Sequence, residues 1–453
     1  MFFVIFFAFT YQPKGLQILT LIDIVDVMLD IKFIKENPDL INEAAKKRHI
    51  DFKVEGLLLV EADRVRLLGE VEEMRKMQNS MNSRVVMVKG TKEKGDLLYE
   101  MKLLKDNLVT KEKLLEETMG KWKTLMLQVP NVPDMSVPDG NSDADNKEIK
   151  TWGEIPKFNF EPKSHFDLMK ELDMADLERG VKVAGFRGYF LKNDGALLSF
   201  ALWRFAMDLL VKKGYSPMIA PSLVKSTPLL GTGYLPAGEE DLFKTQDGTY
   251  LAGTSEVAVM GYHFDEILPK SEFPKRFVAF SPCFRREAGS HGKDTRGLIR
   301  LHEFFKVEQV ILCEASHEES VKLHEEILAN SEEIMQALEI PYHVVLNCGG
   351  DIGQSAVKKY DIEAWVPSEK KYRETHSISY FHDFQTRRSS IRYKDVDGKM
   401  RFAHSLNGTA LATPRLVVAF VENFQQEDGS IRIPKALQPY MGGKEVIVSA
   451  KIG

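Results

Sequence analysis

Hydrophobic residues between positions 54 and 129 recur in alternating steps of three and four, the period of a helix that buries one stripe. The first run places this stripe at Leu67, Val71, Met74, Gln78, Met81, Val85 and Val88. The second run places it at Leu97, Met101, Leu104, Leu108, Lys111, Leu115, Thr118, Trp122, Leu125 and Val129. A polar stretch at residues 89–95 separates the runs. Because two such helices bury their stripes only against each other, the pattern predicts an antiparallel coiled-coil hairpin, a long protruding arm.

Beyond residue 163 the period changes, and short β-rich runs alternate with turns and a few helical stretches. The strand-like runs cover residues 276–284, 305–312 and 342–348. The helical stretches cover residues 165–177, 195–213 and 317–338. Since the strands and helices do not alternate as regular βαβ units, the pattern predicts an α+β domain with an antiparallel sheet flanked by helices.

These patterns divide the chain into four segments. Residues 28–130 form the helical arm domain, residues 131–162 a linker rich in Pro, Asp, Asn and Gly, and residues 163–453 the α+β domain. Residues 1–27 form an N-terminal extension of uncertain status. Its apolar start has no preceding basic residue, no clear cleavage site and too little length to span a bilayer. We favour a start codon assigned too far upstream, with a membrane or organelle tether as the alternative.

The charge of the chain bears on its partners. A formal net charge of -5 gives no overall basic field, so contact with a nucleic acid requires a local basic patch. Such a patch lies on the outer half of the arm, at Arg75, Lys76, Arg84, Lys89, Lys92, Lys94, Lys102 and Lys105. The base of the arm is acidic. The outer half is therefore a candidate RNA-binding surface, and an ordinary solvated coiled-coil face is the alternative.

The remaining composition, 43% hydrophobic and 28% charged, is typical of a globular protein. The cysteines, Cys283, Cys313 and Cys348, are far apart and form no CxxC pair. We therefore expect neither a zinc site nor a disulfide framework. This cysteine usage favours a cytoplasmic location, and no membrane association is expected.

The strongest candidate chemistry lies between Phe284 and Glu308, which reads FRRE, a polar glycine-containing loop, and RLHEFFKVE. Period-two alternation predicts that Arg285 and Glu287 share one strand face, where a guanidinium can hold phosphate oxygens and a carboxylate can accept from an amino group. Arg300, Phe304 and Glu308 follow at four-residue spacing. An Arg and a Glu two apart also occur as a plain surface ion pair, so the neighbouring motifs decide between these interpretations.

The hairpin pattern FRxE, loop, RxxxFxxxE resembles motif 2 of the class II aminoacyl-tRNA synthetases. Upstream, KKGYSPMIAPSLV, with Gly214 and Pro221, resembles motif 1, which builds the dimer interface in that family. Downstream, LNGTALATPRLVVAFVENFQ, with Arg415 at a helix start, resembles motif 3. Ala410 and Pro414 stand there at positions where the family has glycine. The three motifs occur in the family's order over about 200 residues, which is far more specific than any one of them.

Within this class, the details resemble the seryl-tRNA synthetases. The segments are LAGTSEVA, the hairpin SPCFRREAGSHGKDTRGLIRLHEFFKVE, YRETHSIS, FVENFQQEDGSIRIPKALQPYMGG and the N-terminal arm. This resemblance extends from Met28 to about Gly443. It implies ATP-dependent attachment of L-serine to tRNA(Ser) through a seryl-adenylate, with Mg²⁺, a homodimer and a catalytic domain at residues 163–453. It also implies that the arm grips the tRNA variable arm, and it leaves open whether tRNA(Sec) is a second substrate.

The resemblance also assigns roles to individual residues. Arg285 and Arg415 would be catalytic, and Glu374 and Ser377 would hold Mg²⁺. Serine would be bound by Thr254, Ser255, Glu256, Arg285, Glu308 and Thr409. ATP would be bound by Arg285, Arg286, Glu287, Leu301, Glu374, Thr375, His376, Ser377 and Arg415. The tRNA would be bound by Arg75, Lys76, Arg84, Lys89, Lys92 and Lys94 on the arm and by Lys293 and Arg296 in the motif 2 loop.

Two other functions are consistent with parts of the pattern. A ligase that loads an amino acid onto a carrier protein is expected to lack the long arm, which is present here. A non-catalytic relative that only binds RNA or protein is expected to have lost one of Glu256, Arg285, Glu308 or Arg415, and the sequence has all four.

Overall fold

The structure is a computed structural model that describes residues 29–289, 292, 294 and 297–449. The extension at residues 1–27 and the predicted tRNA contacts Lys293 and Arg296 lie outside the described residues. None of the helices described is both long and apolar enough to cross a bilayer.

The helices set the outline of the arm and the flanks of the second domain. They are α1 Ile31–Glu36, α2 Pro38–Lys47, α3 Val54–Met87, α4 Thr91–Gln128, α5 His165–Glu171, α6 Leu177–Ala184, α7 Asp194–Lys212, α8 Ser226–Thr232, α9 Ser255–Tyr262, α10 His317–Ala337, α11 Phe384–Arg388 and α12 Arg415–Asn423. The helices predicted at residues 195–213 and 317–338 are confirmed within one residue. The one predicted at 165–177 ends earlier, at Glu171, because a short strand at Ala175–Asp176 follows.

Helices α3 and α4 form the predicted antiparallel hairpin. The positions predicted for the stripe are all buried or half-buried, and Leu67, Val71, Leu108 and Trp122 are fully buried. The break between the helices is shorter than predicted: α3 ends at Met87 and α4 begins at Thr91. Residues 91–95 continue the helix because a polar, charged surface is compatible with helix at an exposed hairpin end. The base packs on α1 and α2 through a separate apolar cluster.

The strands build the second domain. They are β1 Lys147–Trp152, β2 Ala175–Asp176, β3 Phe190–Leu191, β4 Ser216–Ile219, β5 Leu223–Val224, β6 Phe243–Lys244, β7 Tyr250–Leu251, β8 Ile267–Leu268, β9 Lys275–Phe284, β10 Glu303–Cys313, β11 Tyr342–Leu346, β12 Lys358–Val366, β13 Lys371–His382, β14 Arg392–Lys394, β15 Met400–Phe402, β16 His404–Thr413, β17 Ile431–Arg432 and β18 Val446–Ile447.

Eight of these strands form one sheet in the order β1-β11-β12-β13-β16-β10-β9-β4. Its pairings are antiparallel except that of β4, which lies parallel to β9. The largest apolar cluster covers this sheet with α7, α10 and α12. The α+β class and the antiparallel sheet flanked by helices are therefore confirmed.

The stretch predicted as a linker, residues 131–162, is not all irregular. It contains β1, which pairs with β11 at the sheet edge. The buried Arg48 also connects the arm domain to its neighbour, since its guanidinium donates to the carbonyls of Asn131 and Ala356 at 3.0 and 2.5 Å. The base of the arm is thus fixed to the sheet domain by hydrogen bonds as well as by the chain.

Candidate active site

A cavity of about 360 Å³ opens over the middle of the large sheet. Its wall carries alternate residues of β10, namely Phe304, Lys306 and Glu308, because successive side chains of a strand point to opposite faces. Neighbouring strands, loops and the first turns of α9 and α12 add more charged residues. They are Glu256, Arg285, Glu287, Arg300, Lys359, Glu374 and Arg415. The cavity therefore brings together both signs of charge in a confined space.

Glu256 is a deeply buried acid of this wall, 3% exposed. Its carboxylate accepts hydrogen bonds from Gln385 at 2.6 Å and from the Tyr234 hydroxyl at 3.1 Å. Burial raises the pKa of Glu256 to about 7, and the hydrogen bond from Gln385 opposes this shift. A buried carboxyl group with a raised pKa can bind a cationic amine, whose positive charge would stabilise the ionised carboxylate.

Glu308 lies beside Lys306, whose ammonium is 2.5 Å from its carboxylate. The Thr409 hydroxyl donates to the same carboxylate at 3.3 Å. Burial raises the pKa of Glu308, although the charge of Lys306 opposes it. These three side chains form a small polar slot next to Glu256, which can accept and donate hydrogen bonds to a hydroxyl group.

The predicted residues Thr254 and Ser255 are buried but do not line the cavity. Thr254 caps the N-terminus of α9, where its hydroxyl accepts from the backbone N–H of Glu256 at 3.2 Å. The Ser255 hydroxyl donates to the carbonyl of Ala279 on β9 at 3.4 Å. Both residues thereby hold the start of α9, and with it Glu256, against the sheet.

A second group of side chains contains two guanidinium groups and one carboxylate. Arg415, the first residue of α12, donates from Nη1 to the Glu374 carbonyl at 2.6 Å and lies 3.6 Å from its carboxylate. Loss of solvent opposes ionisation of Glu374, but the positive charges of Arg415 and Lys359 outweigh it and lower the pKa. The Arg285 guanidinium lies 5.3 Å from the ring centre of Phe304. This arrangement can neutralise a polyphosphate.

The prediction that Arg285 and Glu287 share a strand face is wrong in its geometry. Strand β9 ends at Phe284, and Glu287 has φ +56, a left-handed conformation that turns the chain out of the extended form. Both side chains nevertheless line the cavity. Glu287 is bonded to Arg300 at 2.6 Å. The four-residue series Arg300, Phe304 and Glu308 also lines this cavity.

Most of the other residues predicted to bind ATP lie on the same wall. Leu301, Glu374, Thr375 and Ser377 line the cavity. Two do not. Arg286 is exposed outside it, with its backbone N–H bonded to the Asp241 carbonyl. His376 is buried against β16, where its ring nitrogen lies 3.1 Å from the Ala410 carbonyl, and burial lowers its pKa to about 4.

Ala410 and Pro414, which replace family glycines in motif 3, occupy different environments. Pro414 lines the cavity directly before Arg415, and Ala410 is buried within β16. The glycine nearest to them, Gly408, is tightly packed: a Cβ there would lie 2.3 Å from a side-chain methyl of Ile327. Close approach on this strand is therefore made at Gly408 and toward α10, away from the cavity.

Glu374 and Ser377 supply one carboxylate and one hydroxyl to the wall. Among the described residues no cluster of three or more His, Cys, Asp or Glu side chains is arranged to hold a metal by itself. Such a sparse oxygen donor set fits Mg²⁺, which keeps several waters and takes its other ligands from substrate phosphates.

The predicted tRNA contacts on the arm lie apart from this cavity. Lys76, Arg84, Lys89, Lys92 and Lys94 are exposed along the outer half of the hairpin. Arg75 is also exposed but shares its charge with Glu112 on the facing helix, at 2.8 Å.

Sequence reasoning missed several residues of the cavity. Lys306 lies midway between the predicted Phe304 and Glu308, and strand alternation within β10 is the signal that finds it. Tyr234 and Lys359, which line the cavity, and Gln385, which bonds to Glu256 from outside it, come from separate elements, and no local pattern marks them. They reach the site only through the pairing of distant strands and loops.

Two family models match this chain. The "tRNA synthetase class II core domain (G, H, P, S and T)" matches residues 242–424, and the "Seryl-tRNA synthetase N-terminal domain" matches residues 28–133. The first match spans the cavity and most of the sheet. Together the sheet, the three motifs and the cavity define a class II aminoacyl-tRNA synthetase.

Curated relatives narrow this class. A serine–tRNA ligase of Deinococcus radiodurans is 45% identical over 421 residues, covering 93% of this chain and 99% of the relative. One of Thermodesulfovibrio yellowstonii is 44% identical, covering 92% and 99%. The chain belongs to the seryl-tRNA synthetase family.

Solved structures agree with this assignment. The seryl-tRNA synthetase of Pyrococcus horikoshii, solved with ATP, has a TM-score of 0.85 at 38% identity and covers 93% of this chain and 100% of its own. The serine–tRNA ligase of Naegleria fowleri, solved with AMP, has a TM-score of 0.82 at 29% identity and covers 93% and 99%.

Proposed function

We propose that this protein attaches L-serine to tRNA(Ser) in an ATP-dependent reaction with a seryl-adenylate intermediate. The observation that carries this proposal is one cavity that joins two groups of side chains. Glu256, Glu308 and Thr409 suit a small amino acid with a hydroxyl group, and Arg285 and Arg415 suit a triphosphate. Family membership and the similarity to structures solved with ATP and AMP support the same reaction.

In the first step a carboxylate oxygen of serine forms a bond to the α-phosphorus of ATP, and the bond from that phosphorus to pyrophosphate breaks. The serine carboxylate is ionised at neutral pH, so the step needs no general base. The protein contributes alignment and neutralisation of the charge on the phosphate. Arg285 lines the same cavity and would contact both the serine carboxylate and the α-phosphate. Arg415 would hold the terminal phosphate.

Selection of serine would come from the polar slot of Lys306, Glu308 and Thr409. Alanine leaves these buried groups without a hydroxyl partner, which disfavours it by several kcal/mol. Threonine carries one more methyl group and is excluded by size. Thr254 and Glu256 would fix the serine ammonium, Thr254 indirectly through the helix start.

Glu287 and Leu301 would contact the nucleoside part of ATP. Mg²⁺ would be held by Glu374 and Ser377, and when bound it neutralises phosphate charge. The protein groups themselves bind and orient the phosphates. Thr375, which lines the cavity, would contact ATP from β13, whereas Arg286 and His376 would act from outside the cavity.

In the second step the seryl group passes from the adenylate to a hydroxyl of the terminal adenosine, and AMP leaves. The residue 288–297 loop, including Lys293 and Arg296, would close over this acceptor end. The arm domain, residues 28–130, would bind the outside of tRNA(Ser) through its basic outer half. A homodimer, a tRNA(Sec) activity and a cytoplasmic location belong to the same proposal, as does the division into arm, linker and catalytic domain.

Amino-acid-dependent exchange of pyrophosphate into ATP tests the proposal. Serine is expected to support the fastest exchange, with alanine and threonine at least a hundredfold slower in kcat/KM. An arm-deleted protein lacking residues 75–105 is the matched control, and it should keep exchange but lose charging of tRNA(Ser). Faster exchange with another amino acid would overturn the choice of serine.

A further inference from the structure

The side chain of His165, which the cavity does not include, lies in a buried junction behind the cavity wall. His165 is the first residue of α5 and is 6% exposed. Its backbone N–H and its ring Nδ1 both donate to one carboxylate oxygen of Glu422, at 2.8 and 2.7 Å. Glu422 lies on α12, seven residues after Arg415. The helix that carries a proposed catalytic arginine therefore also holds His165.

These contacts fix the tautomer of the ring. Burial opposes ionisation of Glu422, but the hydrogen bonds from His165 and from the backbone N–H of Ser368 outweigh it and lower its pKa. Glu422 is thus an acceptor, and the His165 ring donates to it from Nδ1. The other ring nitrogen, Nε2, accepts the backbone N–H of Leu298 at 3.2 Å.

The segment that His165 contacts begins the inner cavity wall. Gly297 has φ +80, and a Cβ on it would lie 2.1 Å from Nε2 of His165. Glycine is therefore required for the ring to reach the next peptide. Leu298 and Ile299 then line the cavity.

Arg415 holds the next residue of the same segment, since its Nε donates to the Ile299 carbonyl at 3.1 Å. Two consecutive residues are thus fixed from α12. Ile299 is held directly by Arg415, and Leu298 is held through Glu422 and His165. The wall and the arginine are positioned by one hydrogen-bonded unit.

We infer that His165 is a positioning residue for ATP binding: through Nε2 it holds the wall at Leu298, and thereby the orientation of Arg415, with Glu422 setting its tautomer. This inference rests on the proposed function. The alternative is that His165 serves only as a hydrogen-bond donor to the buried carboxylate of Glu422.

Two substitutions separate these roles. In His165→Asn the amide group takes the place of Nδ1 and can donate to Glu422, but it is too short to reach Leu298. In His165→Gln the longer side chain places its amide oxygen near the position of Nε2, where it can accept from Leu298, while the donor at Nδ1 is lost. The variants differ by one methylene group and keep opposite hydrogen bonds.

The measurements are equilibrium binding of ATP with Mg²⁺, KM for ATP and for serine in pyrophosphate exchange, and Tm. Loss of one hydrogen bond of this kind corresponds to a change of about two- to tenfold. His165→Asn should weaken ATP binding by about five- to tenfold with KM for serine unchanged. His165→Gln should bind ATP with an affinity within about twofold of that of wild type, although its Tm should fall more than that of His165→Asn.

The reverse order, with ATP binding weakened in His165→Gln and kept in His165→Asn, would show that only Glu422 matters and would overturn the inference. Equal losses in both variants that track Tm would overturn it as well. If neither histidine variant folds, Gly297→Ala provides the second perturbation, because its Cβ displaces the His165 ring from Leu298 and its φ of +80 also strains the wall backbone there. It should weaken ATP binding and leave KM for serine unchanged, and unchanged ATP binding would contradict the inference.

The same measurements test the proposed function separately from the role of His165. Wild-type protein that binds ATP but does not exchange pyrophosphate with serine would refute the proposed function, while the comparison of ATP binding among the variants would still decide the role of His165.

Discussion

Glu256 offers the sharpest test of how the cavity handles charge. The perturbation is Glu256→Gln, which keeps the shape of the side chain. Its amide can still accept from Gln385, and the Tyr234 hydroxyl can turn to accept from the new amino group. The change therefore removes a charge without leaving a buried polar group unpaired.

The magnitude follows from the raised pKa. A shift from the ordinary value of 4.5 to about 7 corresponds to roughly 3 kcal/mol. Because the folded protein holds the proton more tightly than the unfolded chain, stability is highest below pH 4.5 and falls as the pH rises to about 7. Above pH 7 wild type carries the full free-energy cost of burying the ionised Glu256 carboxylate. Substrate-free Glu256→Gln should therefore be more stable than wild type there by up to about 3 kcal/mol.

Catalysis should change in the opposite direction. A carboxylate that pairs with the serine ammonium contributes about 1.5–3 kcal/mol, so KM for serine should rise roughly ten- to hundredfold in Glu256→Gln. In wild type, KM for serine should rise as the pH falls below about 7, and this dependence should vanish in the variant.

The assays are thermal unfolding without substrate at pH 5 and pH 8, and pyrophosphate exchange across the same range. Tyr234→Phe serves as the matched control. It removes a hydrogen bond that lowers the pKa of Glu256, so it should move the midpoint of the serine KM profile to higher pH. A Glu256→Gln protein no more stable than wild type at pH 8, with an unchanged KM for serine, would refute the reasoning.

Three further outcomes are expected. Arg415→Ala should slow pyrophosphate exchange about a hundredfold, because it removes the charge proposed to hold the terminal phosphate, and a kcat within threefold of wild type would contradict that role. Charge reversal of Lys89, Lys92 and Lys94 to Glu should raise KM for tRNA(Ser) and flatten the salt dependence of this KM without changing pyrophosphate exchange. Charge reversal of Lys113 and Lys121, near the base of the arm, is the control. Equal effects from both sets would argue against tRNA binding by the basic outer half of the arm. Burial lowers the pKa of His343, but the carboxylates of Glu363 and Glu148, at 2.7 and 2.8 Å from its ring, outweigh burial and raise this pKa. Protection of the β1 amides against hydrogen exchange should therefore weaken as the pH rises above about 6.5, and His343→Gln should abolish this dependence. An unchanged pH dependence in that variant would exclude His343 as its cause.

The arm could be predicted almost completely from sequence. A hydrophobic stripe that must be buried against a second helix determines both the hairpin and which face of each helix is buried. The predicted stripe positions from Leu67 to Val129 are accordingly buried or half-buried. The end of the hairpin was less predictable, because residues 91–95 are polar in either helix or loop. Their helical state shows that an exposed charged sequence does not by itself mark a turn.

Residues of the cavity could be predicted only where their spacing along one strand already places their side chains on the same face. Phe304 and Glu308 lie on one strand, so their common face follows from sequence. Arg285 and Glu287 reach the cavity for another reason, since a left-handed turn after Phe284 directs the second side chain inward. The contacts of Gln385 with Glu256 span 129 residues, and no pattern along the chain encodes them.

The central claim is that a single cavity binds serine and ATP side by side and joins them. The most direct measurement is a crystal structure with a sulfamoyl analogue of seryl-adenylate. We expect the ammonium of the analogue at Glu256, its serine hydroxyl at Glu308 and Thr409, and its sulfamoyl group at Arg285. An analogue bound outside this cavity, or bound in it with the ammonium directed toward Arg415, would contradict the account.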